Sequence, residues 1–127
     1  YNMPKLPENI SEAWNKKDGP IVFATTDSDG NPNAIYATCV NLFENEIVLV
    51  ADNFFNKTKI NIKSGSNGSV LFITDEGKSF QLKGTVEYHT EGPLFDHMKT
   101  WNPSKLPGHA TAALKIQEAY SGAEKLL

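Results

Sequence analysis

The sequence predicts a mainly β protein, built as one antiparallel sheet or small barrel with a few short helices inserted. Short runs of β-branched and apolar residues recur along the chain, and turn-forming residues separate them at short intervals. Apolar residues at helical spacing are confined to brief stretches. A length of 127 residues suits a single domain, residues 1–127, that buries its own core.

The first half of the chain predicts one helix and then three strands. Ile10, Ala13 and Trp14 recur at helical spacing, which predicts an amphipathic helix over Pro7 to Lys17. Turn-forming residues 27–32 separate two apolar runs and predict a hairpin. The third run follows a turn at Asn45, and its unbroken apolar character indicates burial on both faces. The three strands are predicted at Ile21 to Thr26, Ala34 to Val40 and Glu46 to Ala51.

A short helix is predicted directly after the third strand. Asn56 would be its N-cap and Gly65 would end it, because these residue types are favoured at the two ends of helices. Ile60 is the expected buried contact, and Ile62 is a second candidate.

Two lysines in the first turn of this helix call for an explanation. Lys57 and Lys59 lie at the positive end of the helix dipole, which disfavours a cation by roughly 0.3–1 kcal/mol. Either both point into solvent, where the penalty is screened, or the helix start binds an anion. Asn56, Lys57 and Thr58 would then offer an amide, an ammonium and a hydroxyl group beside the unpaired backbone N–H groups. This arrangement is typical of a phosphate site.

The second half predicts two strands, a helix and an ambiguous last segment. The strands are Gly68 to Thr74 and Ser79 to His89, the latter bent at Gly84. A helix follows from about residue 91 to residue 100, with Leu94, Phe95 and Met98 as its apolar stripe. The composition of Ala110 to Tyr120 favours a helix, whereas alternating Ala112, Leu114 and Ile116 favour a strand.

Charge and cysteine content narrow the class of protein. A net charge of −3 argues against general nucleic-acid binding, which needs a dominant basic face. Cys39 is the only cysteine, so no intrachain disulfide is expected and a reducing compartment is the default. Without an apolar run of about 20 residues or a signal-peptide pattern, we expect a cytoplasmic protein. Tyr1 and Asn2, ahead of Met3, fit equally well as added and as native residues.

No catalytic or metal motif is found. His89, His97 and His109 lack the spacing of metal ligands, so no metal site is predicted. The glycine-rich stretch 64–69 matches neither a Walker loop nor a dinucleotide fingerprint, and there is no nucleophile elbow. Catalytic residues are therefore not assigned.

An ordered set of features resembles the FMN-binding split-barrel family of pyridoxamine 5'-phosphate oxidase, and most closely its small single-domain FMN-binding proteins. The similarity covers roughly Ile10 to Tyr120. The features are the hairpin Ile21 to Val40, the strand Ile47 to Ala51, the helix start Asn56-Lys57-Thr58 with Asn61-Ile62, the Gln81 to Gly84 strand and the Thr90 to Pro93 helix start.

The resemblance implies a six-stranded antiparallel split β-barrel with Greek-key-like topology and a few short helices. Ala110 to Tyr120 would then be its last strand. It also implies a homodimer with a flavin pocket shared between the chains, and FMN as the cofactor. Lys57 and Thr58 match the positions that hold the flavin phosphate in the family.

The other implied contacts concern the flavin ring. Gln81 or Lys83 would donate to the ring and Trp101 would cover it. The alternatives are that Gln81 and Lys83 lie on an exposed strand face and that Trp101 packs in the core or contacts the second chain of a dimer. The ring would lie along the second and third strands, near Tyr36, Ala37, Thr38, Ala51, Asp52 and Asn53, with Asn56 at the helix start.

The implied function is that of an FMN-dependent oxidoreductase or electron-transfer protein. Pyridoxamine phosphate oxidases carry a C-terminal arginine-rich segment that helps to bind the substrate, and this sequence has no arginine. We therefore do not expect pyridoxamine phosphate as the substrate. The alternatives are a non-catalytic flavin carrier or sensor, and a split barrel that binds haem, a deazaflavin or no cofactor.

Overall fold

A computed structural model describes residues 6–127, so the segment containing Tyr1, Asn2 and Met3 lies outside the described residues. The described chain forms three helices and eight strands in one antiparallel sheet, which curls into a split barrel. The elements are α1 Glu8–Asn15, β1 Ile21–Thr26, β2 Pro32–Ala37, β3 Val40–Phe43, β4 Ile47–Asp52, α2 Lys57–Lys63, β5 Asn67–Ile73, β6 Ser79–His89, α3 Pro93–Trp101, β7 Ala110–Ser121 and β8 Glu124–Lys125.

The predicted fold class is confirmed, but the strand count differs. The sheet order is β2-β1-β5-β6-β7-β4-β3, and β8 pairs with β7. The predicted strand Ala34 to Val40 is two strands, because β2 pairs with β1 whereas β3 pairs with β4. β2 and β3 lie at opposite ends of the sheet order, so the two halves of the predicted strand belong to different parts of the sheet. The chain breaks at Thr38 and Cys39, which gives seven longer strands instead of six, besides the two-residue β8.

The last long segment is a strand, as the resemblance implies and against its helical composition. β7 pairs with β6 along one edge and with β4 along the other. Ala112, Leu114 and Ile116 are fully buried, and so is Ala113 on the opposite face. Pairing on two edges and packing on two faces override the weak intrinsic preference for helix.

Gly84 marks the predicted bend in β6. The pairing of β6 with β7 shifts register between Lys83 and Gly84. A Cβ atom on Gly84 would lie 1.8 Å from the carbonyl oxygen of Lys115, so only glycine allows this approach of the two backbones.

β4 is buried on both of its faces. Val48 and Val50 point into the main cluster inside the barrel, while Ile47 and Leu49 pack on the outer face with Trp101 of α3. Glu44 and Asn45, both with positive φ, are the central residues of the turn before β4, which is closed by a hydrogen bond of 3.1 Å from the N–H of Glu46 to the carbonyl oxygen of Phe43. None of the helices within residues 6–127 is long and apolar enough to cross a membrane.

Candidate functional site

An open cavity of about 430 Å³ lies between β2, the end of β4 and the start of α2, and we call it the β2–α2 cavity. Eight of the twelve residues predicted from the sequence line it, which brings together positions from three separate elements. They are Tyr36, Ala37, Thr38, Ala51, Asn53, Asn56, Lys57 and Thr58. The other lining residues are Asn33, Ala34, Ile35, Cys39, Phe54, Phe55 and Leu106.

One wall of the β2–α2 cavity is the free edge of β2. Seven consecutive residues, 33–39, line the cavity, although side chains of a strand alternate between two faces. A continuous stretch therefore presents its backbone as well as its side chains. Among the described strands β2 pairs only with β1, so the other edge offers N–H and C=O groups without a strand partner.

The segment between β4 and α2 forms the second wall. The side-chain amide of Asn53 exchanges two hydrogen bonds of 3.0 Å with that of Asn102, and Asn53 Oδ1 also accepts the N–H of Gly108 at 2.9 Å. Asn53 thus fixes the loop that brings Leu106 to the cavity. Phe55 packs on the main core, whereas Phe54 is 79% exposed.

The start of α2 closes one end of the cavity with polar groups. Asn56 occupies the predicted N-cap position, although its side chain makes no capping hydrogen bond. Lys57 is exposed, and no carboxylate oxygen within residues 6–127 lies within 4.0 Å of its ammonium group. Thr58 is 1% exposed, and its Oγ1 accepts a hydrogen bond of 3.2 Å from Asn33 Nδ2.

The inner face of α2 is more polar than the sequence suggested. Ile60 is 60% exposed, so its predicted burial is wrong, while Ile62 is buried as expected. The remaining buried positions are Thr58 and Asn61, and Asn61 Nδ2 donates to Thr25 Oγ1 at 3.0 Å. Two amide–hydroxyl bonds thus hold the helix to the β1–β2 hairpin.

Asp52, although predicted at the ring, lies outside the β2–α2 cavity. It is 2% exposed; its Oδ1 accepts the N–H of Phe55 at 2.9 Å, and its Oδ2 accepts the hydroxyl proton of Tyr88. Burial, reinforced by this hydrogen bond and the carboxylate charge, raises the pKa of Tyr88 above its ordinary value. Asp52 therefore joins the end of β4 to β6.

Gln81, Lys83 and Trp101 also lie away from the cavity. Gln81 Nε2 donates to Ser69 Oγ at 2.9 Å on the neighbouring strand. Lys83 is exposed, with its ammonium 5.2 Å from the ring centroid of Tyr120. Trp101 packs on the outer face of the sheet, and its buried indole N–H has no hydrogen-bond partner among the described residues. Lys83 thus lies on an exposed strand face and Trp101 packs on the sheet, as in the alternatives stated from the sequence, whereas Gln81 is half-buried rather than exposed.

Several lining residues were missed from the sequence. Asn33 begins the cavity wall at the start of β2, and Cys39 lies at the break that splits the predicted strand. The adjacent Phe54 and Phe55, in a connection between strand and helix, were the available signal, since a loop rarely needs two large aromatic residues without a packing or binding role. Leu106 lies at the cavity because the hydrogen bond between Asn53 and Asn102 holds its loop there, so the sequence around Leu106 gives no indication of this position.

The histidines do not converge. Among residues 6–127, no group of three or more His, Cys, Asp or Glu side chains is arranged to hold a metal ion. His89 Nε2 lies 3.0 Å from a carboxylate oxygen of Glu87, and His97 Nε2 lies 3.3 Å from Asn41 Oδ1.

Comparison with known proteins gives a family match and a consistent set of folds. The family model described as pyridoxamine 5'-phosphate oxidase matches residues 6–124. An uncharacterised protein of Methanocaldococcus jannaschii is 34% identical over 124 residues, which cover 92% of this chain and 80% of that protein. Among solved structures, HupZ of Group A Streptococcus has a TM-score of 0.83 at 19% identity and covers 96% of this chain and 98% of its own.

Solved structures of the same fold carry different cofactor descriptions. An FMN-binding protein of Syntrophomonas wolfei has a TM-score of 0.74 at 18% identity, covering 87% of this chain and 81% of its own. HutZ, a haem storage protein of Vibrio cholerae, has a TM-score of 0.67 at 16% identity, and the match covers 93% of this chain and 95% of HutZ. An F420 reductase has a TM-score of 0.69 at 13% identity, and the match covers 91% of this chain and 98% of the reductase. At these identities the likeness establishes the fold alone.

Proposed function

Because the chain belongs to the pyridoxamine 5'-phosphate oxidase family, we propose that it is an FMN-binding flavoprotein of that family, acting as an oxidoreductase or electron-transfer protein. One observation carries the proposal. Residues picked from the sequence for contact with FMN, and drawn from β2, β4 and α2, line a single cavity with Lys57 and Thr58 at one end.

The residues present fit the chemistry of FMN. The cavity volume of about 430 Å³ falls in the range of roughly 300–1,000 Å³ that is typical of small-molecule sites. Lys57, Thr58 and Asn56 offer an ammonium, a hydroxyl and an amide for a phosphate group. The free edge of β2 offers backbone donors and acceptors for the polar edge of a ring, and Phe54 and Tyr36 offer aromatic surface.

In this proposal the chain binds and orients the cofactor. FMN, when bound, supplies the redox chemistry, while the protein sets its orientation and its electrostatic surroundings. Lys57 places a positive charge at the phosphate end. Asn53 keeps the second wall in place through Asn102 and Gly108, so that the cavity keeps its shape. Without any arginine in the chain, pyridoxamine phosphate is not the proposed substrate.

We also propose a homodimer whose second copy completes the cavity. Tyr36 and Phe54, two of the three large aromatic residues that line the cavity, are each 79% exposed in the single chain. An uncovered aromatic surface beside an unpaired strand edge is a typical contact for a second chain. Light scattering should give twice the chain mass, and a monomer that binds FMN tightly would contradict the shared cavity.

The absorption spectrum of the purified protein tests the cofactor. A flavin spectrum, or its appearance on titration with FMN, is the expected result. A haem or a deazaflavin spectrum without FMN uptake would contradict the proposal, as would a colourless protein that takes up no flavin. Tyr36 and Cys39 are the lining residues able to ligate haem iron, because no histidine lines the cavity.

Reduction separates an enzyme from a carrier. A flavin that is reduced by a nicotinamide and then rapidly reoxidised supports an oxidoreductase. A bound flavin that a nicotinamide does not reduce, and that passes electrons to none of the acceptors tested, supports the carrier or sensor instead.

A further inference from the structure

The lysines of this acidic protein are unevenly distributed along the chain. Residues 53–74 and 97–117 contain six of the twelve lysines and none of the fifteen aspartates and glutamates. All fifteen acidic residues therefore lie in the rest of the chain, beside the other six lysines. Such a separation of charges creates a local positive potential on a protein of net charge −3. The six lysines of the two acid-free segments are Lys57, Lys59, Lys63, Lys99, Lys105 and Lys115.

The fold brings the two acid-free segments together at the end of β4. Asn53 exchanges two hydrogen bonds with Asn102, and the N–H of His109 donates to the carbonyl oxygen of Asp52 at 2.9 Å. The connection into α2 therefore lies beside the loop that follows α3. Lys115 is the exception, since it lies on β7 and pairs with a glutamate of β6.

The other five lysines of these segments are exposed and have no acidic partner. Within residues 6–127, none of their ammonium groups lies within 4.0 Å of a carboxylate oxygen, and residues 1–5 contain no aspartate or glutamate. Lys59 and Lys63 lie one turn apart on α2, with their ammonium groups 5.7 Å and 5.5 Å from the ring centroid of Tyr88. The face of the ring attracts a cation but neutralises neither charge.

An apolar side chain lies between these two charges. Ile60 is 60% exposed; it follows Lys59 directly and lies three residues before Lys63, so the three side chains are neighbours on α2. An apolar centre with a polar, charged rim is the usual composition of a contact between two proteins. We call Lys59, Ile60 and Lys63 the basic face.

The basic face lies next to the β2–α2 cavity but is not part of its lining. Lys57 and Thr58 of the same helix line the cavity, whereas the three residues of the basic face do not. The helix has seven residues and is therefore only about 10 Å long, because an α-helix rises 1.5 Å per residue. A protein bound to the basic face would thus lie beside a cofactor in the cavity, and the cofactor would leave the face uncovered.

We propose that the basic face docks an acidic one-electron carrier protein, which reduces the flavin of the neighbouring cavity. This inference rests on the proposed function, since it identifies the partner of that flavoprotein. Complementary charge steers an acidic partner to the face and orients it, while Ile60 supplies the apolar contact. Two reduced carriers, each giving up one electron, supply the two electrons that one flavin takes up together with protons from water.

Titration calorimetry tests the docking, with an acidic two-iron ferredoxin added to the full chain in the presence of FMN. We expect binding at an ionic strength of about 20 mM that weakens at least about tenfold at about 500 mM, because salt screens exposed charges. A basic cytochrome c should not bind. The rate at which reduced ferredoxin reduces the bound flavin should fall with salt in the same way.

Two double variants of equal net charge separate the basic face from a general charge effect. Lys59→Gln/Lys63→Gln should weaken the binding of ferredoxin at least about fivefold at low salt, since it removes two exposed charge contacts. Lys78→Gln/Lys125→Gln removes two exposed lysines outside the acid-free segments and should change the affinity by less than about twofold. Ile60→Ser should weaken binding by a similar factor at low and at high salt, because it removes no charge. None of these variants should change the affinity for FMN.

Four results would overturn the proposal. They are no binding of ferredoxin, binding that salt does not weaken, an equal loss in Lys78→Gln/Lys125→Gln, and tighter binding to phosphatidylserine vesicles than to ferredoxin, which would assign the face to an anionic membrane. A chain that binds FMN but not ferredoxin overturns the docking alone. A chain that takes up no FMN overturns the proposed function and the electron transfer with it, whatever its affinity for ferredoxin.

Discussion

The two strands that border the β2–α2 cavity differ in how completely the single chain packs them. All six residues of β4 are buried, and the strand has a partner on each edge. No residue of β2 is buried: exposed and half-buried positions alternate, and β1 is its only partner strand. One wall of the cavity is thus part of the core, while the other is held only by the hairpin and by α2.

This difference assigns different tasks to the two walls. Changes on the β4 side should cost stability, because core packing is dense and leaves little room for relaxation. Changes on the β2 side should leave stability nearly intact and act on the cofactor or on a second chain. Five substitutions test this division.

Gly84→Val is expected to have the largest effect, on the side of the sheet that supports β4 through β7. Its side chain would collide with the carbonyl oxygen of Lys115, which lies 1.8 Å from the added Cβ and is backbone, so it cannot swing aside. We expect a loss of about 4 kcal/mol or more in the free energy of unfolding, measured by urea denaturation. Thr85→Val, at the exposed neighbouring position, is the control and should stay within about 0.5 kcal/mol. If Gly84→Val unfolds with the wild type, the two backbones do not approach as described.

A pair of substitutions compares the two walls directly. Leu49→Ala removes a fully buried side chain from β4 and should cost about 3 kcal/mol. Tyr36→Ala removes a larger side chain from β2 that is 79% exposed, and should change stability by less than about 0.5 kcal/mol. FMN titration should show the reverse order, with Tyr36→Ala weakening binding and Leu49→Ala leaving it nearly unchanged. Equal stability losses would mean that β2 is packed in solution, as a tight dimer would make it.

The contrast between the walls also explains what the sequence could and could not predict. β4 was evident as an unbroken apolar run, because burial on both faces leaves a local signal. The break at Thr38 and Cys39 was missed, since it depends on β2 and β3 joining opposite ends of the sheet. The strand from Ala110 to Ser121 was ambiguous by composition, because its conformation is decided by two neighbouring strands.

In the candidate site, too, residues with a local sequence signal could be predicted, whereas placements decided by tertiary contacts could not. Lys57 and Thr58 could be selected because they break or exploit the local chemistry of a helix start. The direction of Asp52 could not be predicted, since it is set by Tyr88, which lies far along the chain. Ile60 was expected to be buried, but its place on the inner face of α2 is taken by Asn61, whose hydrogen bond to Thr25 is a tertiary contact.

Lys57→Ala should act on the cofactor alone. Removing a charge-assisted contact worth roughly 1.5–3 kcal/mol should weaken FMN by about ten- to a hundredfold. Riboflavin, which lacks the phosphate, should bind almost as before. The cofactor-free variant should melt at or slightly above the wild type, because the substitution also removes a cation from the start of a helix. Titrations with both flavins make the comparison. Equal losses for FMN and riboflavin, or no loss for either, would remove Lys57 from the phosphate site.

Thr58→Val should have the smallest effect on FMN affinity. It tests whether Thr58 contacts the ligand, holds β2 in place, or does both. The hydroxyl of Thr58 accepts a hydrogen bond from Asn33 of β2, so its own proton is free to be donated to a phosphate. Thr58→Val removes that donor and should weaken FMN by roughly 0.5–1.5 kcal/mol.

The same substitution leaves the amide of Asn33 without its acceptor, so a small loss of stability is expected beside the loss of affinity. Thr58→Ser keeps the hydroxyl and should therefore retain most of the wild-type stability and most of the FMN affinity. This control distinguishes the effect of losing the hydroxyl from the effect of changing the shape of the side chain. Riboflavin distinguishes the two roles. If Thr58 donates to the phosphate, riboflavin binding should change much less than FMN binding. If it only holds β2 in place, both flavins should bind more weakly to the same extent, and the role of Thr58 would then be to hold the β2 wall against the helix rather than to contact the ligand.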